Sequence, residues 1–471
     1  MSETQSTKKG QIVTLTIRST AYEGKGIGFV EDKICFVKHT APGDVIRARI
    51  TRRKKTFLEA ICLEILEASP LRIPPRCRHA GICGGCNWQH VSYKDQLQFK
   101  QQHVEEHLKH IGGFTDLSMH PILACEEPFY YRNKMEYSFG DRRWLTAAEI
   151  ASEEYVSNEE LSLGLHVPGR YDKILNLLEC HLQDERSLQI MQACRAYCLE
   201  HGFEPYNVIS HQGWLRHLVI RNALTSDQWL VNIVTYYEHE AIHGLIQHLI
   251  ERFPFITTVV ESVNDTWSPV AVGTQERIHY GKGFITDHIA DFSFDIHPTT
   301  FFQTNTPQAE KLFNLAIELA DIQGGTVYDL YCGVGTISLF ASKKAERVIG
   351  IELNPQSIQN ARINAKNNHI ENTYFEVGDA KDVFNPHLVN TYGKPDILIT
   401  DPPRAGMHPD VIAQIQALRV PKIVYISCNS ATMARDLKTL ESTHQLMHIQ
   451  PVDMFPQTYH IETVAMLTLR T

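Results

Sequence analysis

The sequence GTVYDLYCGVGTISLFASKKAERVIGIELNPQSIQNARINAKNN, residues 325–368, decides the fold class. Its pattern predicts a strand, a glycine loop, a helix, a strand ending in an acid and a second helix, which together form a βαβ unit. Alternating strands and helices form an open, mostly parallel sheet whose ligands bind at the carboxyl ends of the strands. The alternation continues in YFEVGDA (374–380), PDILITDPPRAG (395–406), KIVYISCNS (422–430) and VAMLTLR (464–470).

The segment DLYCGVG, residues 329–335, follows the first strand of this unit and opens its first helix. Gly333 and Gly335 permit a tight turn and a close approach of the backbone to a ligand. The third glycine of the dinucleotide fingerprint G-x-G-x-x-G is absent, because TISL follows Gly335. A cofactor without phosphate groups is therefore favoured.

Acids end three successive predicted strands: Glu352, Asp379 and Asp401. Glu352 would accept hydrogen bonds from two ribose hydroxyls, and Asp379 would approach an adenine amine. Each acid alone is commonly a helix cap, but together they create a negative field that suits a sulfonium cation better than a pyrophosphate. The set favours a methyltransferase that uses S-adenosylmethionine.

A cysteine, Cys428, lies between an apolar strand and a predicted helix start in KIVYISCNSATMARDL, residues 422–437. A thiol near a helix N-terminus is expected to have a lowered pKa and to be a better nucleophile. Glu462 precedes the last strand, where position alone would explain it as a solvated acid. A thiol and a carboxylate beside a methyl donor fit methylation at C5 of a pyrimidine, because thiol addition at C6 activates C5 and a base then removes the C5 proton.

Three further cysteines are clustered in CRHAGICGGC, residues 77–86, with the spacing C-x5-C-x2-C. The glycine-rich, polar setting disfavours three unrelated buried thiols and favours a metal site with a fourth ligand from elsewhere. Four thiolates would hold zinc or an iron–sulfur cluster, and the second C-x2-C pair of a zinc ribbon is missing. The candidate ligands are Cys77, Cys83, Cys86 and Cys180, with Cys125 as the rival of Cys180.

Residues 1–68 contain several short strands separated by charged and glycine-containing turns, a pattern that predicts a small β-barrel able to carry oligonucleotides. Residues 1–100 hold 17 Lys and Arg against 9 Asp and Glu, although the whole chain has a net charge of −9. This basic front suits a polyanion. The candidate phosphate contacts are Lys25, Arg47, Arg49, Arg52, Arg53, Lys54 and Lys55. Tyr22, Phe29, Phe36 and Phe57 are candidate stacking residues, some of which are expected to fill the barrel core.

Residues 69–290 mix strand-like runs with helices and predict a central α+β domain, and residues 291–471 form the methyltransferase domain. A helix predicted over 94–113 places Leu97, Val104, Leu108 and Ile111 on one stripe. No apolar run reaches the length of a membrane span, and no secretory signal is recognisable, which predicts a cytoplasmic protein.

These motifs together resemble the RNA uracil-C5 methyltransferase family, the bacterial 5-methyluridine enzymes with an N-terminal TRAM domain and a 4Fe–4S cluster. The resemblance spans nearly the whole chain. It is carried by CRHAGICGGC with Cys180, FFQTN, DLYCGVG, DPPRAG, SCNSATMARDL and HIETVAML. It implies a class I (Rossmann-like) α/β methyltransferase domain that uses S-adenosylmethionine, behind an OB-like barrel and a mixed central domain.

The resemblance also implies roles for individual residues, with Cys428 as the nucleophile and Glu462 as the base. Relatives often carry Asn where Thr336 stands, and Asp401 borders both the cofactor and the base pocket. The helix over 94–113 would pack on the methyltransferase domain, so that the central domain is discontinuous. The implied cofactor pocket comprises Gln303, Tyr331, Thr336, Glu352, Asp379 and Asp401, and the implied cluster ligands are Cys77, Cys83, Cys86 and Cys180.

The sequence therefore predicts methylation of a uridine in RNA, with 23S rRNA favoured and tRNA as the alternative. An amino-group methyltransferase is a rival, although Arg404 replaces the aromatic residue of its D-P-P-Y motif. A cytosine-C5 enzyme and a non-catalytic RNA-binding protein with a structural cluster are further alternatives. A monomer without a specific protein partner is expected.

Overall fold

The computed structural model describes residues 7–115, 117, 119–152 and 156–470. Its N-terminal part is a closed barrel of five strands, β1 (Ile12–Thr20), β2 (Gly26–Val30), β3 (Lys33–Val37), β4 (Val45–Arg53) and β5 (Phe57–Glu67). They close in the order β1-β2-β3-β5-β4. Alternate side chains such as Ile17, Val37 and Leu58 fill the interior, as the period of two along a strand requires.

None of the four candidate stacking residues belongs to the buried barrel core. The expectation that some of them fill this core is wrong, because Cys35, Val37 and Leu58 take the inward positions beside Phe36 and Phe57. Phe29 is 42% exposed. The three phenylalanines therefore lie on the outer face of the barrel.

The central domain is built on a sheet of seven strands in the order β12-β11-β10-β9-β6-β7-β8. These strands are β6 (Lys134–Arg142), β7 (Glu159–Val167), β8 (Arg170–Asn176), β9 (Leu215–Asn222), β10 (Trp229–Thr235), β11 (Ile256–Val263) and β12 (Gln275–Tyr280). The domain's helices include α2 (Ala147–Ala151), α3 (Glu185–Glu200) and α4 (Ile242–Arg252). Apolar side chains of α3 and α4 share a core with β9 and β10.

The helix α1 (Tyr93–His107) continues as a π-helical turn, Leu108–Gly112, and ends at Gly113, whose φ of 75° is left-handed. Val104 and Leu108 are buried in the core of the C-terminal domain rather than in that of the central domain. The helix therefore lies against the C-terminal domain although it precedes the central sheet in sequence.

A hairpin of β13 (Ile285–Ile289) and β14 (Phe292–Ile296) enters the C-terminal domain. The boundary predicted at residue 291 falls between its two strands. Both strands pack in the core of the C-terminal domain, beside Phe313 and Phe340. Since paired strands share one core, the hairpin joins the fold that follows it.

The C-terminal sheet runs in the order β17-β16-β15-β18-β19-β21-β20. Its strands are β15 (Thr326–Leu330), β16 (Arg347–Glu352), β17 (Thr373–Val377), β18 (Ile397–Thr400), β19 (Lys422–Ser427), β20 (His444–Val452) and β21 (Glu462–Leu469). The helices are α5 (Thr306–Ala320), α6 (Thr336–Ser342), α7 (Pro355–Asn367), α8 (Ala380–Val383), α9 (Pro386–Tyr392), α10 (Pro409–Leu418) and α11 (Ser430–Leu440). The first five strands are parallel, and β21 is antiparallel to both of its neighbours.

This arrangement confirms the predicted α/β class with a barrel in front and a mixed sheet between. Parallel strands alternating with helices on both faces end at one edge of the sheet, where ligands bind. In the described part of the chain, no helix combines the length and the apolar character needed to cross a membrane.

Candidate functional site

A cleft of about 1820 Å³ opens at the carboxyl ends of the parallel strands. Loops that follow β15 to β19 and the first residue of β21 form much of its wall. All eight residues that the sequence suggests for catalysis or cofactor binding line this one cleft: Gln303, Tyr331, Thr336, Glu352, Asp379, Asp401, Cys428 and Glu462.

The glycine loop between β15 and α6 has three residues with positive φ: Tyr331 at 65°, Gly333 at 55° and Gly335 at 83°. A Cβ atom added at Gly335 would lie 3.1 Å from side-chain carbons of Ala361 and Phe375, whereas one at Gly333 would meet open space. Gly335 thus allows α6 to begin tightly against its neighbours, and Gly333 keeps the backbone accessible to a ligand.

We expect Gly335→Ala to weaken S-adenosylmethionine binding by roughly 10-fold or more, since it adds crowding to backbone strain of about 1–3 kcal/mol. Gly333→Ala has a left-handed φ but no close neighbour, so its effect should be smaller. Isothermal titration of both variants with the cofactor measures the difference. Equal losses in the two variants would contradict the role given to crowding at Gly335.

Backbone amides fix the Glu352 carboxylate at the end of β16. Gly333 N donates to Glu352 Oε2 at 3.3 Å, and Asn354 N donates to Glu352 Oε1 at 2.9 Å. Each oxygen retains a further lone pair for a ligand hydroxyl. The open glycine loop, this carboxylate and the size of the cleft fit a nucleoside cofactor such as S-adenosylmethionine.

Asp379 caps α8, because its carboxylate accepts a hydrogen bond from Lys381 N at 3.2 Å. Lys381 Nζ also lies 2.5 Å from Asp379 Oδ2, and this hydrogen bond holds the pKa of the carboxyl below its usual range. Asp379 therefore serves as a cap and also faces the cleft, and its contact with adenine stays a prediction.

Cys428 lies between two carboxyl groups on neighbouring strands. Asp401 follows β18, Cys428 follows β19, and Glu462 begins β21. Ser427, the last residue of β19, pairs with Thr463, so the residue that follows it, Cys428, comes near Glu462 at the start of β21. Because β21 runs antiparallel to β19, its first residue lies at the same edge as the ends of the parallel strands.

Burial is the main factor that raises the pKa of Cys428, to about 11, and Glu462 and Asp401 add to it while Arg404 opposes it. The prediction of a lowered pKa is wrong, although α11 does begin at Ser430 as the sequence suggests. Desolvation and two nearby acids outweigh the field of the helix N-terminus. Without substrate, the thiol is therefore protonated at neutral pH.

Both acids also have raised pKa values. Burial and then the charge of Asp401 raise the pKa of Glu462 well above its usual range. Burial raises the pKa of Asp401 to about 7. Two like charges in one desolvated site disfavour double ionisation, so the pair holds at least one proton near neutral pH. The cleft can thus both accept and release protons beside the thiol.

Two residues of this region received no role from the sequence. Asp329 is fully buried below the glycine loop, accepts a hydrogen bond from Ser338 Oγ at 2.6 Å and leaves Oδ1 without a partner. Phe301 lines the cleft with a side chain that is 68% exposed. The sequence signals that could have identified them were the position of Asp329 near a strand end and that of Phe301 two residues before Gln303.

The structure places Cys180, and not Cys125, near the three clustered cysteines. Cys180 acts electrostatically on Cys77, Cys83 and Cys86, whereas Cys125 accepts a hydrogen bond from Asn305 Nδ2 elsewhere. Within the described residues, no group of three or more His, Cys, Asp or Glu side chains could hold a metal ion.

Three N–H groups donate to the sulfurs: His79 N to Cys77 Sγ at 3.4 Å, Gly85 N to Cys83 Sγ at 3.4 Å and Gln89 Nε2 to Cys86 Sγ at 3.2 Å. Burial raises the pKa of Cys83 to about 11 and that of Cys86 to about 12. N–H donors aimed at half-buried sulfurs are the kind of contact that would suit thiolate ligands of an iron–sulfur cluster. Gly84 and Gly85 of the same loop reach the cleft.

Comparisons with known proteins agree with this architecture. Residues 268–470 match the family model described as tRNA (Uracil-5-)-methyltransferase, and residues 6–63 match the TRAM domain model. An uncharacterized RNA methyltransferase of Bacteroides thetaiotaomicron is 40% identical over 455 residues, which cover 96% of this chain and 100% of that protein. One of Chlorobaculum tepidum is 40% identical over 465 residues, covering 97% and 96%.

Among solved structures, the chain is similar to the tRNA (uracil-54, C5)-methyltransferase of Pyrococcus abyssi in complex with S-adenosyl-L-homocysteine. The two are 29% identical with a TM-score of 0.75, and the match covers 97% of this chain and 100% of that chain.

Proposed function

Since the chain belongs to the family of S-adenosylmethionine-dependent RNA (uracil-5-)-methyltransferases, we propose that it methylates C5 of a uridine through a covalent bond between Cys428 and C6. The observation that carries this proposal is the position of the thiol between Asp401 and Glu462 in the cofactor cleft. An isolated uracil C5 is a weak nucleophile, so an enzyme must activate it.

The proposed reaction begins when the Cys428 thiol gives its proton to ionised Asp401 and its sulfur bonds to C6. Bound S-adenosylmethionine supplies an electrophilic methyl group, which C5 accepts, and S-adenosylhomocysteine is left. Glu462, which has released its own proton to solvent, removes the C5 proton, and the C5–C6 double bond re-forms as the sulfur leaves and regains its proton from Asp401. One proton is released to solvent overall, and Cys428, Asp401 and Glu462 return to their initial states. Base extrusion or a single-stranded site is needed for this access.

RNA binding by the barrel is supported by its outer face. Arg18 lies 5.2 Å above the Phe29 ring, and the Phe36 and Phe57 rings meet edge to face at 5.7 Å. Ile34 lies between Phe29 and Phe57, because it pairs with Phe29 on β2 and with Phe57 on β5. Exposed aromatic rings beside cations form a stacking platform for single-stranded RNA.

The seven candidate phosphate contacts of the barrel divide into two groups. Lys25, Arg47 and Arg52 form surface ion pairs with glutamates. In the described part of the chain, four others have no ion pair and remain free for phosphates: Arg49, Arg53, Lys54 and Lys55.

The target in this proposal is 23S rRNA. The TRAM barrel and the clustered cysteines favour this target. The similarity to a tRNA-modifying enzyme favours tRNA as the second candidate. Both candidates use the same chemistry.

Mass-spectrometric mapping of 5-methyluridine tests the target. Large-subunit rRNA and tRNA are compared between a strain lacking the gene and its parent. We expect one ribosomal site to lose its methyl group and to regain it with the wild-type protein but not with Cys428→Ala. Loss of 5-methyluridine from tRNA alone would show that tRNA, and not rRNA, is the substrate. If neither RNA loses 5-methyluridine and no paralogue supplies the activity, the proposed uracil methylation is contradicted.

We also propose a structural 4Fe–4S cluster ligated by Cys77, Cys83, Cys86 and Cys180, because Cys180 interacts electrostatically with the other three thiols. Such a cluster would hold the loop at residues 77–86 against the central domain, since the proposed reaction moves no electrons. We expect protein purified without oxygen to contain about four iron and four sulfide per chain, and Cys83→Ser to lose both. A cluster-free protein that remains folded and active would contradict the structural role.

A further inference from the structure

The loop between β20 and β21, residues 453–461, forms the part of the cleft wall that leads into the proposed base. His460 of this loop lines the cleft together with Glu462. Ile461, which lies between them in the chain, is buried in the core of the C-terminal domain. The imidazole of His460 and the carboxyl group of Glu462 therefore face the same space.

Hydrogen bonds from other elements hold this loop in place. Gln457 has a left-handed φ of 68° and is 3% exposed. Its N–H donates to Gln96 Oε1 of α1 at 3.1 Å, and Gln96 Nε2 donates to Gln457 Oε1 at 3.0 Å. The carbonyl of Gln457 accepts from Asn87 N at 2.9 Å. The backbone that carries His460 is thus anchored from outside its own hairpin.

Aromatic side chains flank the His460 ring. Its centroid lies 4.2 Å from that of Tyr459 and 6.1 Å from that of Phe455, which it meets edge to face. Tyr22 of the barrel in turn packs edge to face on Tyr459 at 5.7 Å. Tyr22 therefore supports this wall of the cleft and is not a free stacking platform as the sequence suggests.

The contact with Arg404 fixes the tautomer of His460. Arg404 Nη2 lies 3.2 Å from His460 Nδ1, and a guanidinium only donates, so Nδ1 accepts and the neutral ring carries its proton on Nε2. Burial and then the charge of Arg404 lower the pKa of His460 to about 4, and Lys100 and Arg132 add to this effect. Among the residues that the structure describes, none accepts a hydrogen bond from Nε2, which leaves this N–H for a ligand.

We propose that His460 determines the specificity for uracil by donating a hydrogen bond from Nε2 to O4 of the target base. The inference rests on the proposed function and deepens it. O4 is bonded to C4, the ring neighbour of the C5 atom from which Glu462 removes the proton, so a donor beside Glu462 meets O4 rather than the distant O2. Cytosine carries at this position an amino group, which donates hydrogen bonds itself and does not accept one from Nε2.

The same hydrogen bond assists the first chemical step. When the Cys428 sulfur bonds to C6, the electron pair of the C5–C6 double bond is shared between C5 and O4. An N–H donor that is already in place stabilises the negative charge on O4. The carbonyl at C4 re-forms as C5 takes the methyl group, so no proton passes between His460 and the base.

Transcripts of 23S rRNA and tRNA that contain uridine, 4-thiouridine or 2-thiouridine test this contact, because sulfur accepts hydrogen bonds more weakly than oxygen. Single-turnover methyl transfer is measured with excess enzyme. We expect His460→Phe, which keeps a flat ring beside Tyr459 and Phe455, to slow transfer to the uridine transcript roughly 100-fold. Cofactor affinity and the thermal midpoint should stay unchanged.

The thio-substituted transcripts identify the atom that accepts the bond. The ratio of the uridine rate to the 4-thiouridine rate should be about 5-fold larger in wild type than in His460→Phe, whereas the ratio for 2-thiouridine should be equal in the two proteins. His460→Gln, which retains an N–H donor, should recover most of the rate and of the 4-thiouridine ratio. His448→Phe, on β20 and outside the cleft, is the matched control and should behave as wild type.

Three results overturn the inference and leave the proposed function intact: a wild-type rate for His460→Phe, the same 4-thiouridine ratio with and without the imidazole, or a larger penalty from 2-thiouridine than from 4-thiouridine in the wild type. The last comparison needs no variant and decides the matter even if His460→Phe does not fold. A wild-type protein that methylates neither uridine transcript contradicts the proposed function and this inference together.

Discussion

Cys428→Ala is expected to lower methyl transfer to RNA by about 10⁴-fold or more, because removal of a catalytic nucleophile leaves only binding and orientation. The side chain is small and half-buried at the start of α11, so the fold and the glycine loop should be unaffected. Transfer of an isotopically labelled methyl group to RNA from a strain lacking the gene measures the loss. Cofactor binding, measured by titration, should remain within about 2-fold of wild type.

RNA that contains 5-fluorouridine gives an independent readout of the same residue. Fluorine at C5 leaves no proton for Glu462 to remove, so the sulfur–C6 bond should persist and survive denaturing electrophoresis. We expect this complex with wild type and with Cys62→Ala, a barrel cysteine outside the cleft, but not with Cys428→Ala. Full activity of Cys428→Ala would reject the covalent mechanism.

Lys100→Met is expected to reduce the free energy of unfolding by about 3–5 kcal/mol, because it leaves a buried carboxylate without its counterion. The Lys100 and Asp453 side chains are both fully buried, with 2.5 Å between Nζ and Oδ1. Burial lowers the pKa of Lys100, and Asp453 opposes this change. Lys100 Nζ also donates to the carbonyl of Phe455 at 3.1 Å, so the pair fastens α1 to the segment that leads to Glu462.

Urea unfolding of single and double variants isolates the pair. Asp453→Asn in the Lys100→Met background removes the unpaired charge and should recover much of the loss. Lys311→Met is the matched control, since Lys311 pairs with the exposed Glu126 at 2.6 Å, and no measurable change is expected. A loss below about 1 kcal/mol for Lys100→Met would show that the buried pair adds little.

The pattern of the chain was sufficient to place the candidate residues along one cleft but not to predict their pKa values. Alternating strands and helices placed Glu352, Asp401 and Cys428 at successive strand ends, and parallel strands necessarily bring such ends together. Glu462 lies near Cys428 because β21 is inserted antiparallel between β19 and β20. The sequence pattern does not reveal this insertion. The match of residues 268–470 to the uracil-5 family model favours uracil over the amino-group and cytosine alternatives.

The pKa of the Cys428 thiol and the outer face of the barrel show why other properties could not be predicted from the sequence. The pKa of Cys428 depends on burial and on acids from two other strands, so a local helix-start argument had the wrong sign. Period-two alternation separates two faces of a strand without saying which one turns inward, and Phe36 and Phe57 took the outer one.

The order of strands has a consequence for biosynthesis. β20 precedes β21 in the chain. In the sheet, however, β21 lies between β19 and β20, and β20 forms the edge. A nascent chain that has emerged only through β20 therefore possesses Cys428 but lacks both the proposed base and the strand that closes the sheet. With Glu462 as the proposed base, we expect catalytic competence to arise only after β21 has left the ribosome and paired with β19 and β20.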